Sequence, residues 1–339
     1  MKKVIVLIGV LIWGCGDSKE TKLQRFLLQS NDLVKNQKES QAEYYLKEAL
    51  KLDSCFADAW NNLGTIYFNQ QKFSLALEHY NRALDCRPGY LDAYFNRANT
   101  EYELKEYYSA LQDIDKILRN KPDTAVAYFS QGLIYSRLRE FDKSMASFRK
   151  AVALDKSNPE IWVNMGTVQY YKRQFDSAQV DLQEALRLNP QEANVYNALA
   201  MIEIERRNYD QANTLLAKAL SLKPDDPFFL NNRGYLNLLN KDMPKAKEDI
   251  DLSISLDPYN GWAYRNKGLY YLQTGNTEDA IRLLRQAEEM DPFIEKIYLY
   301  LGEAYLQGGE VKVACEYFNK SYARNELSEK DVKDRCSPR

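Results

Sequence analysis

The chain almost entirely lacks histidine, since His79 is the only one among its 339 residues. The sequence has no second histidine to share a metal ion or to complete a proton relay. The five cysteines show no paired metal-ligand spacing. A glycine-rich phosphate loop is also missing, because Gly308 and Gly309 fit an ordinary turn between helices. We therefore predict that the protein is not an enzyme, has no catalytic residue, metal site or cofactor, and carries His79 on its surface.

An excess of charge of one sign and long apolar runs are also lacking. The 46 basic and 48 acidic residues give a net charge of −2, which indicates no nucleic-acid partner. The apolar run from Val4 to Trp13 is shorter than the roughly twenty residues that a membrane-spanning helix needs. It follows Lys2 and Lys3, as the apolar part of a secretory signal does. The sequence thus predicts an export signal followed by a soluble chain able to bury a core.

Repetition dominates the rest of the chain. The stretch from Ala57 to Tyr90 recurs in steps of thirty-four residues, nine times between residues 23 and 328, without insertion or deletion. Position 4 of each copy is large and apolar, position 8 is tiny and position 20 is small. Six copies carry glycine at position 8, where it lowers helix stability by about 1 kcal/mol. Because close approach of a second helix would compensate for that loss, the pattern predicts packed helix pairs.

Eight positions with a characteristic spacing identify the type of repeat. They are Trp60, Leu63, Gly64, Tyr67, Ala76, Tyr80, Ala83 and Pro88. This spacing resembles the tetratricopeptide repeat. The resemblance implies an all-α fold, a right-handed superhelix (α-solenoid) of nine helix-turn-helix repeats over residues 23–328. A polar capping tail over residues 329–339 would follow, and Ser328 with Asp331 predicts that a short helix begins there.

The N-terminal segment ends in a second recognisable motif. The four residues from Ile12 to Cys15 resemble the bacterial lipobox, in which a cysteine receives diacylglycerol. The resemblance implies a lipoprotein signal peptide over residues 1–14, and a lipidated N-terminus with a short tether over residues 15–22. Gly16 stands where an aspartate often marks inner-membrane retention, so an outer-membrane lipoprotein is favoured. The periplasmic and surface faces of that membrane both remain open.

The other four cysteines allow two interpretations. Neighbours in the stack suggest one disulfide between Cys55 and Cys86 and another between Cys315 and Cys336. Four unpaired small residues, two of them buried, are the alternative. Connectivity cannot be deduced from sequence, so both interpretations stay open.

Asparagine recurs at position 6, on the first helix of the repeat. It is found in five repeats, as Asn62, Asn96, Asn164, Asn232 and Asn266. Asparagine is a poor helix-interior residue, because its amide competes with the backbone for hydrogen bonds. The resemblance implies that the first helices line a concave groove. There such a ladder would hold a peptide backbone, unless asparagine is simply common at this position.

An aromatic and arginine patch is predicted further along the same groove. Trp262 and Phe228 occupy position 2 of consecutive repeats, with Tyr235 at position 9 and Arg265 at position 5. Trp262 is the tryptophan that the repeat packing does not require. Such residues are enriched at binding hot spots. The alternative is an exposed aromatic that covers the interior of the superhelix.

These features together predict a lipid-anchored adaptor of the bacterial envelope. It would bind a peptide segment or a helix of another envelope protein in the groove, and reach the membrane through its N-terminal lipid. Two alternatives are a glycan-binding lipoprotein and a purely structural, self-associating one. The identity of the partner and the oligomeric state do not follow from the sequence.

Overall fold

The computed structural model describes residues 18–337, and all regular structure in that range is α-helical. The predicted signal peptide and Cys15 lie outside the described residues. The nineteen described helices are α1 (Lys19–Lys35), α2 (Glu39–Leu52), α3 (Ala57–Asn69), α4 (Phe73–Cys86), α5 (Leu91–Glu103), α6 (Tyr107–Asn120), α7 (Ala125–Arg137), α8 (Phe141–Leu154), α9 (Pro159–Tyr171), α10 (Phe175–Leu188), α11 (Ala193–Glu205), α12 (Tyr209–Leu222), α13 (Pro227–Leu239), α14 (Met243–Leu256), α15 (Gly261–Thr274), α16 (Thr277–Met290), α17 (Ile297–Gln307), α18 (Val311–Ala323) and α19 (Glu329–Cys336).

The helices pair as the repeat predicts. Each odd-numbered helix from α1 to α17 is the first helix, or helix A, of a repeat and packs against the following helix B. The chain divides between Lys156 and Ser157 into two compact units, with repeats 1 to 4 in unit 1 and repeats 5 to 9 with α19 in unit 2. Within each described unit, successive A helices contact one another, whereas successive B helices do not. The A helices therefore form the inner layer of each unit, and the predicted all-helical, helix-turn-helix architecture is confirmed.

The close approach predicted from the position-8 glycines is present. A Cβ atom added to Gly132 would lie 2.5 Å from two ring carbons of Phe148, whose side chain is fully buried. The same holds at Gly64, where an added Cβ would lie 2.5 Å from the ring of Tyr80. A side chain at either glycine would separate helix A from helix B. Glycine is therefore retained despite its poor helix propensity.

The turn between helices A and B has the same backbone conformation in all nine repeats. Gln71 adopts a left-handed conformation with φ of 58°. Its N–H donates to the carbonyl oxygen of Phe68 at 2.8 Å, and the next N–H, of Lys72, donates to that of Tyr67 at 2.9 Å. This pair of bonds satisfies the carbonyls at the end of the helix. The last two repeats place Gly275 and Gly309 at this position, where glycine adopts the conformation without strain.

Both predicted disulfides are present. One joins Cys55 to Cys86 and so links repeats 1 and 2, and the other joins Cys315 to Cys336 and fixes α19 to α18. The Ser328 hydroxyl accepts a hydrogen bond from the Asp331 N–H at 3.1 Å, which confirms the predicted helix start in the tail. These disulfides decide between the two interpretations of the four cysteines.

Repeat 9 departs from the regular pattern at its first helix. Its helix A begins at Ile297, the third position of the repeat, whereas the A helices of repeats 2 to 8 begin at the first. Lys296 has φ of 61°, a left-handed conformation that a lysine adopts rarely. Its N–H donates to the Glu326 carboxylate at 2.8 Å. Glu295 and Lys296 are thereby turned out of the helical path.

Candidate functional site

The position-6 asparagines of unit 1 take part in a chain of side-chain hydrogen bonds. The Asn96 amide on α5 donates to the Asn61 oxygen on α3 at 3.0 Å, and Asn61 donates to its neighbour Asn62 at 3.4 Å. Asn62 then donates to Asn31 on α1 at 2.8 Å. This series of hydrogen bonds crosses three A helices. It links repeats 1, 2 and 3 through their inner faces.

Unit 2 contains a corresponding series of hydrogen bonds between asparagine side chains. Asn266 on α15 donates to Asn231 on α13 at 2.7 Å, Asn231 donates to Asn232 at 3.5 Å, and Asn232 donates to Asn197 on α11 at 2.8 Å. Asn164 differs, because its amide donates to the carbonyl oxygen of Glu160 within its own helix at 2.8 Å. Four of the five predicted residues thus use amide protons to join neighbouring repeats, and their contact with a peptide stays a prediction.

The bonding partners at position 5 were missed by the sequence reasoning. Asn61, Asn197 and Asn231 each accept a hydrogen bond from the position-6 asparagine of the next repeat. The available signal was the pair of adjacent asparagines at residues 61–62 and again at residues 231–232. Two adjacent asparagines on helix A can therefore bond to the following repeat and to the preceding repeat.

The predicted aromatic patch is assembled around Arg265, which is only 3% exposed. Its guanidinium carbon lies 4.7 Å from the ring centroid of Tyr235, 5.0 Å from that of Trp262 and 5.7 Å from that of Tyr300. Two guanidinium nitrogens donate to the Asn266 side-chain oxygen at 2.6 and 3.0 Å, and a third donates to the Glu295 carbonyl at 3.2 Å. Tyr300 was not foreseen as part of this cluster.

Burial distinguishes this cluster from an exposed hot spot. Tyr235 and Tyr300 are buried, Trp262 is half-buried and packs on the core of unit 2, and Phe228 is 50% exposed. Burial raises the pKa of Tyr300 well above its usual value. The structure therefore brings Tyr235, Trp262 and Arg265 together and leaves Phe228 at the surface. Trp262 has a packing contact that the repeat pattern alone did not require.

The inner face of unit 1 offers two half-buried polar side chains instead. Asn99 on α5 and Ser130 on α7 are half-buried, and their side chains form no hydrogen bond within residues 18–337. Together with Tyr102 and Leu133 they border a cavity of about 40 Å³, large enough for a water molecule or a methyl group. We call these four residues the α5–α7 site. It is the candidate binding site that the geometry of unit 1 favours.

A buried charge cluster lies on the other side of α5. Two nitrogens of the Arg97 guanidinium donate to the Asp113 carboxylate on α6 at 2.6 and 2.8 Å. Glu101, one turn further along α5, is 9% exposed, and one of its carboxylate oxygens has no hydrogen-bond partner in the described chain. Burial raises the pKa of Glu101 to about 7, and the nearby negative charge of Asp113 acts in the same direction. One guanidinium therefore faces two acidic groups.

Groups that could support metal chemistry are missing from the described residues. No cluster of three or more histidine, cysteine, aspartate or glutamate side chains there could hold a metal ion. His79 is half-buried, with Nδ1 2.8 Å from the Leu75 carbonyl and its ring beside Trp60 and Tyr67. None of the helices within residues 18–337 has the length and apolar character needed to cross a membrane.

Comparison with protein families identifies the repeat. Models described as tetratricopeptide repeat match residues 57–90, residues 125–158, and residues 163–227, 197–260 and 265–329. Together these stretches cover more than half of the chain. The matched sequences include repeats of both units. No curated protein sequence matches the chain.

Solved structures agree on the fold. A chain of the APC/C hetero-tetramer Cut9-Hcn1 is similar at 19% identity with a TM-score of 0.63, over 94% of this chain and 63% of that one. PilF of Pseudomonas aeruginosa is similar at 19% identity with a TM-score of 0.55, over 62% of this chain and 96% of PilF. This chain thus spans less than two thirds of the Cut9-Hcn1 chain that it matches. At this level of identity the similarity concerns the fold alone.

Proposed function

We propose that this chain, which belongs to the tetratricopeptide repeat family, is a lipid-anchored adaptor that binds an extended peptide segment of an envelope protein at the α5–α7 site. Tetratricopeptide folds are typically non-catalytic and commonly bind peptides or proteins. The supporting observation is that Asn99 and Ser130 border a cavity and that their side chains form no hydrogen bond to any residue between 18 and 337. Half-buried side chains that bond to no other described residue keep their donors and acceptors available to a ligand.

The chemistry of the α5–α7 site fits a peptide backbone. The Asn99 amide can donate to a peptide carbonyl and accept from a peptide N–H, and the Ser130 hydroxyl can do the same. The cavity between them would take a methyl-sized side chain. Phe95 and Phe129 lie at position 5 of the same two helices and are half-buried, so each keeps some apolar surface accessible. Hydrogen bonds to the backbone of the bound peptide would provide the affinity, and the size of the cavity would provide the selectivity.

Site-specific photocrosslinking tests this function. With p-benzoylphenylalanine at residue 130, we expect a discrete partner adduct in bacterial envelopes. The matched control carries the same group in place of Tyr108, which is 68% exposed on α6, and should give little or none. Asn99→Ala should weaken capture at least tenfold and leave the unfolding transition unchanged, because its side chain bonds to no described residue. Equal adducts from residues 108 and 130 would refute the site.

The lipid anchor is the second part of the proposal. It is supported by the apolar segment, the lipobox-like residues and Cys15, all of which lie outside the described residues. A single acyl-bearing cysteine would retain the helical units at the outer membrane. We expect Cys15→Ser to move the protein from the membrane fraction to the soluble fraction and to abolish metabolic labelling with palmitate. Unchanged labelling would contradict lipidation at this residue.

A further inference from the structure

Unit 2 contains contacts between repeats that are far apart in the stack. Repeats in a solenoid normally contact only their neighbours. Here the Arg173 guanidinium, in the turn of repeat 5, lies 2.8 Å from the Glu295 carboxylate at the start of repeat 9. It also lies 2.6 Å from Glu205 at the end of α11, and Lys296 lies 3.7 Å from the same Glu205. Four charges thus connect repeats 5, 6 and 9.

The backbone of repeat 9 leaves its regular path where these contacts form. Repeats 2 to 8 continue helix A to their first position, but repeat 9 has Lys296 in a left-handed conformation and begins its helix two residues later. The displaced Glu295 presents its side chain to Arg173 and its carbonyl to Arg265. In repeats 2 to 8 the residues at these two positions are helical instead.

The contacts cover a cluster that is incompletely neutralised. Arg265 is buried among Tyr235, Trp262 and Tyr300, and its hydrogen bonds go to amide and carbonyl oxygens rather than to a carboxylate. Buried charges in proteins are usually paired with an opposite charge. Arg265 thus forms no ion pair with a carboxylate of residues 18–337, and the Glu295 whose carbonyl accepts from this cluster also pairs with Arg173.

We propose that Arg173, Glu205, Glu295 and Lys296 form an ionic latch that holds unit 2 closed over the Arg265 cluster. Opening the latch lets residues 295–296 resume the helical path and exposes Tyr235, Trp262 and Arg265. The side chains of Arg173, Glu295 and Lys296 are 57%, 27% and 30% exposed and that of Glu205 is 10% exposed, so every pair has at least one partner that salt can screen. A latch of this strength can open without unfolding the unit.

Hydrogen–deuterium exchange of the full chain tests the latch. At low salt, Arg173→Ala should increase exchange about tenfold in peptides covering residues 262–266 and 297–301, the segments that the latch closes. Arg173→Lys retains the charge, so its exchange rates in these peptides should lie between those of Arg173→Ala and those of the wild type. Arg187→Ala removes an exposed pair with Glu184 inside one helix of the same unit, and should leave both segments unchanged.

Salt dependence provides the second measurement. In 1 M NaCl the wild-type protein should exchange in these segments at nearly the rate of Arg173→Ala, whereas the variant should respond little to salt. Exchange around Ala212 and Leu216 in the core of unit 2 reports any general unfolding and should stay constant. Wild-type rates in Arg173→Ala at low salt would overturn the latch. That result would leave the α5–α7 site unaffected, because the measurement involves unit 2 and no partner.

Discussion

Replacing Arg97 by methionine should lower the free energy of unfolding of unit 1 by about 3–5 kcal/mol. The guanidinium donates to both oxygens of Asp113, which is 2% exposed, and to the Asn81 side-chain oxygen. Methionine has a similar length but carries no charge. The substitution leaves the buried Asp113 without its arginine and beside the Glu101 carboxyl. The remaining cation at this carboxylate, Lys116, is nearly half exposed and lies 3.4 Å away, so most of the compensation for the buried charge is lost.

A matched control is available at the same carboxylate. Lys116 lies 3.4 Å from Asp113, but its side chain is 45% exposed. Lys116→Met should therefore change the free energy of unfolding by less than about 1 kcal/mol. Urea unfolding monitored by hydrogen–deuterium exchange of α5 and α6 localises the loss of stability to unit 1. Equal losses for the arginine and lysine variants would show that burial does not govern the strength of this cluster.

Unit 1 should become less stable as the pH rises from about 4.5 to 7. Burial raises the pKa of Glu101 to about 7, so the folded unit keeps this carboxyl protonated where the unfolded chain has already released the proton. Folding therefore binds a proton in this range, and raising the pH favours the unfolded state. Allowing for solvent screening of the partly accessible carboxyl, the loss should amount to about 1–3 kcal/mol and level off above pH 7.

Glu101→Gln isolates this contribution, because glutamine has a similar shape and does not ionise. The variant should match the wild type near pH 4.5 and be more stable by about 1–3 kcal/mol at pH 8. Glu103→Gln, at an exposed position two residues further along α5, serves as the control and should show the wild-type pH profile. Urea midpoints measured from pH 4.5 to 8.5 provide the comparison. Parallel profiles for Glu101→Gln and the wild type would rule out Glu101 as the cause.

The repeat pattern predicted those features that depend on one helix pair. The contact of Gly132 with Phe148 follows from their fixed offset within a repeat, and the helix start at Ser328 follows from local capping chemistry. Features between repeats were harder to foresee. The bond from Asn96 to Asn61 depends on how two A helices stack, which no local sequence signal specifies.

The Arg265 cluster shows a different limit of sequence reasoning. Position 5 was expected to line an open groove, and Arg265 does lie on helix A. Its burial depends on Tyr300 and on the Glu295 carbonyl, both contributed by repeat 9. Between these two residues stands the left-handed Lys296, which breaks the repeat pattern. Identical spacing in the sequence therefore concealed a local change of backbone conformation.

The two disulfides affect how the helical array comes apart. A repeat array tends to fray from its terminal repeats, because these have a neighbour on one side only. Cys55–Cys86 ties the first repeat to the second, and Cys315–Cys336 ties the terminal helix to the last repeat. Each bond keeps an outermost element at a high local concentration next to the surface that it covers. Under reducing conditions melting would begin at repeat 1 in unit 1 and at α19 in unit 2.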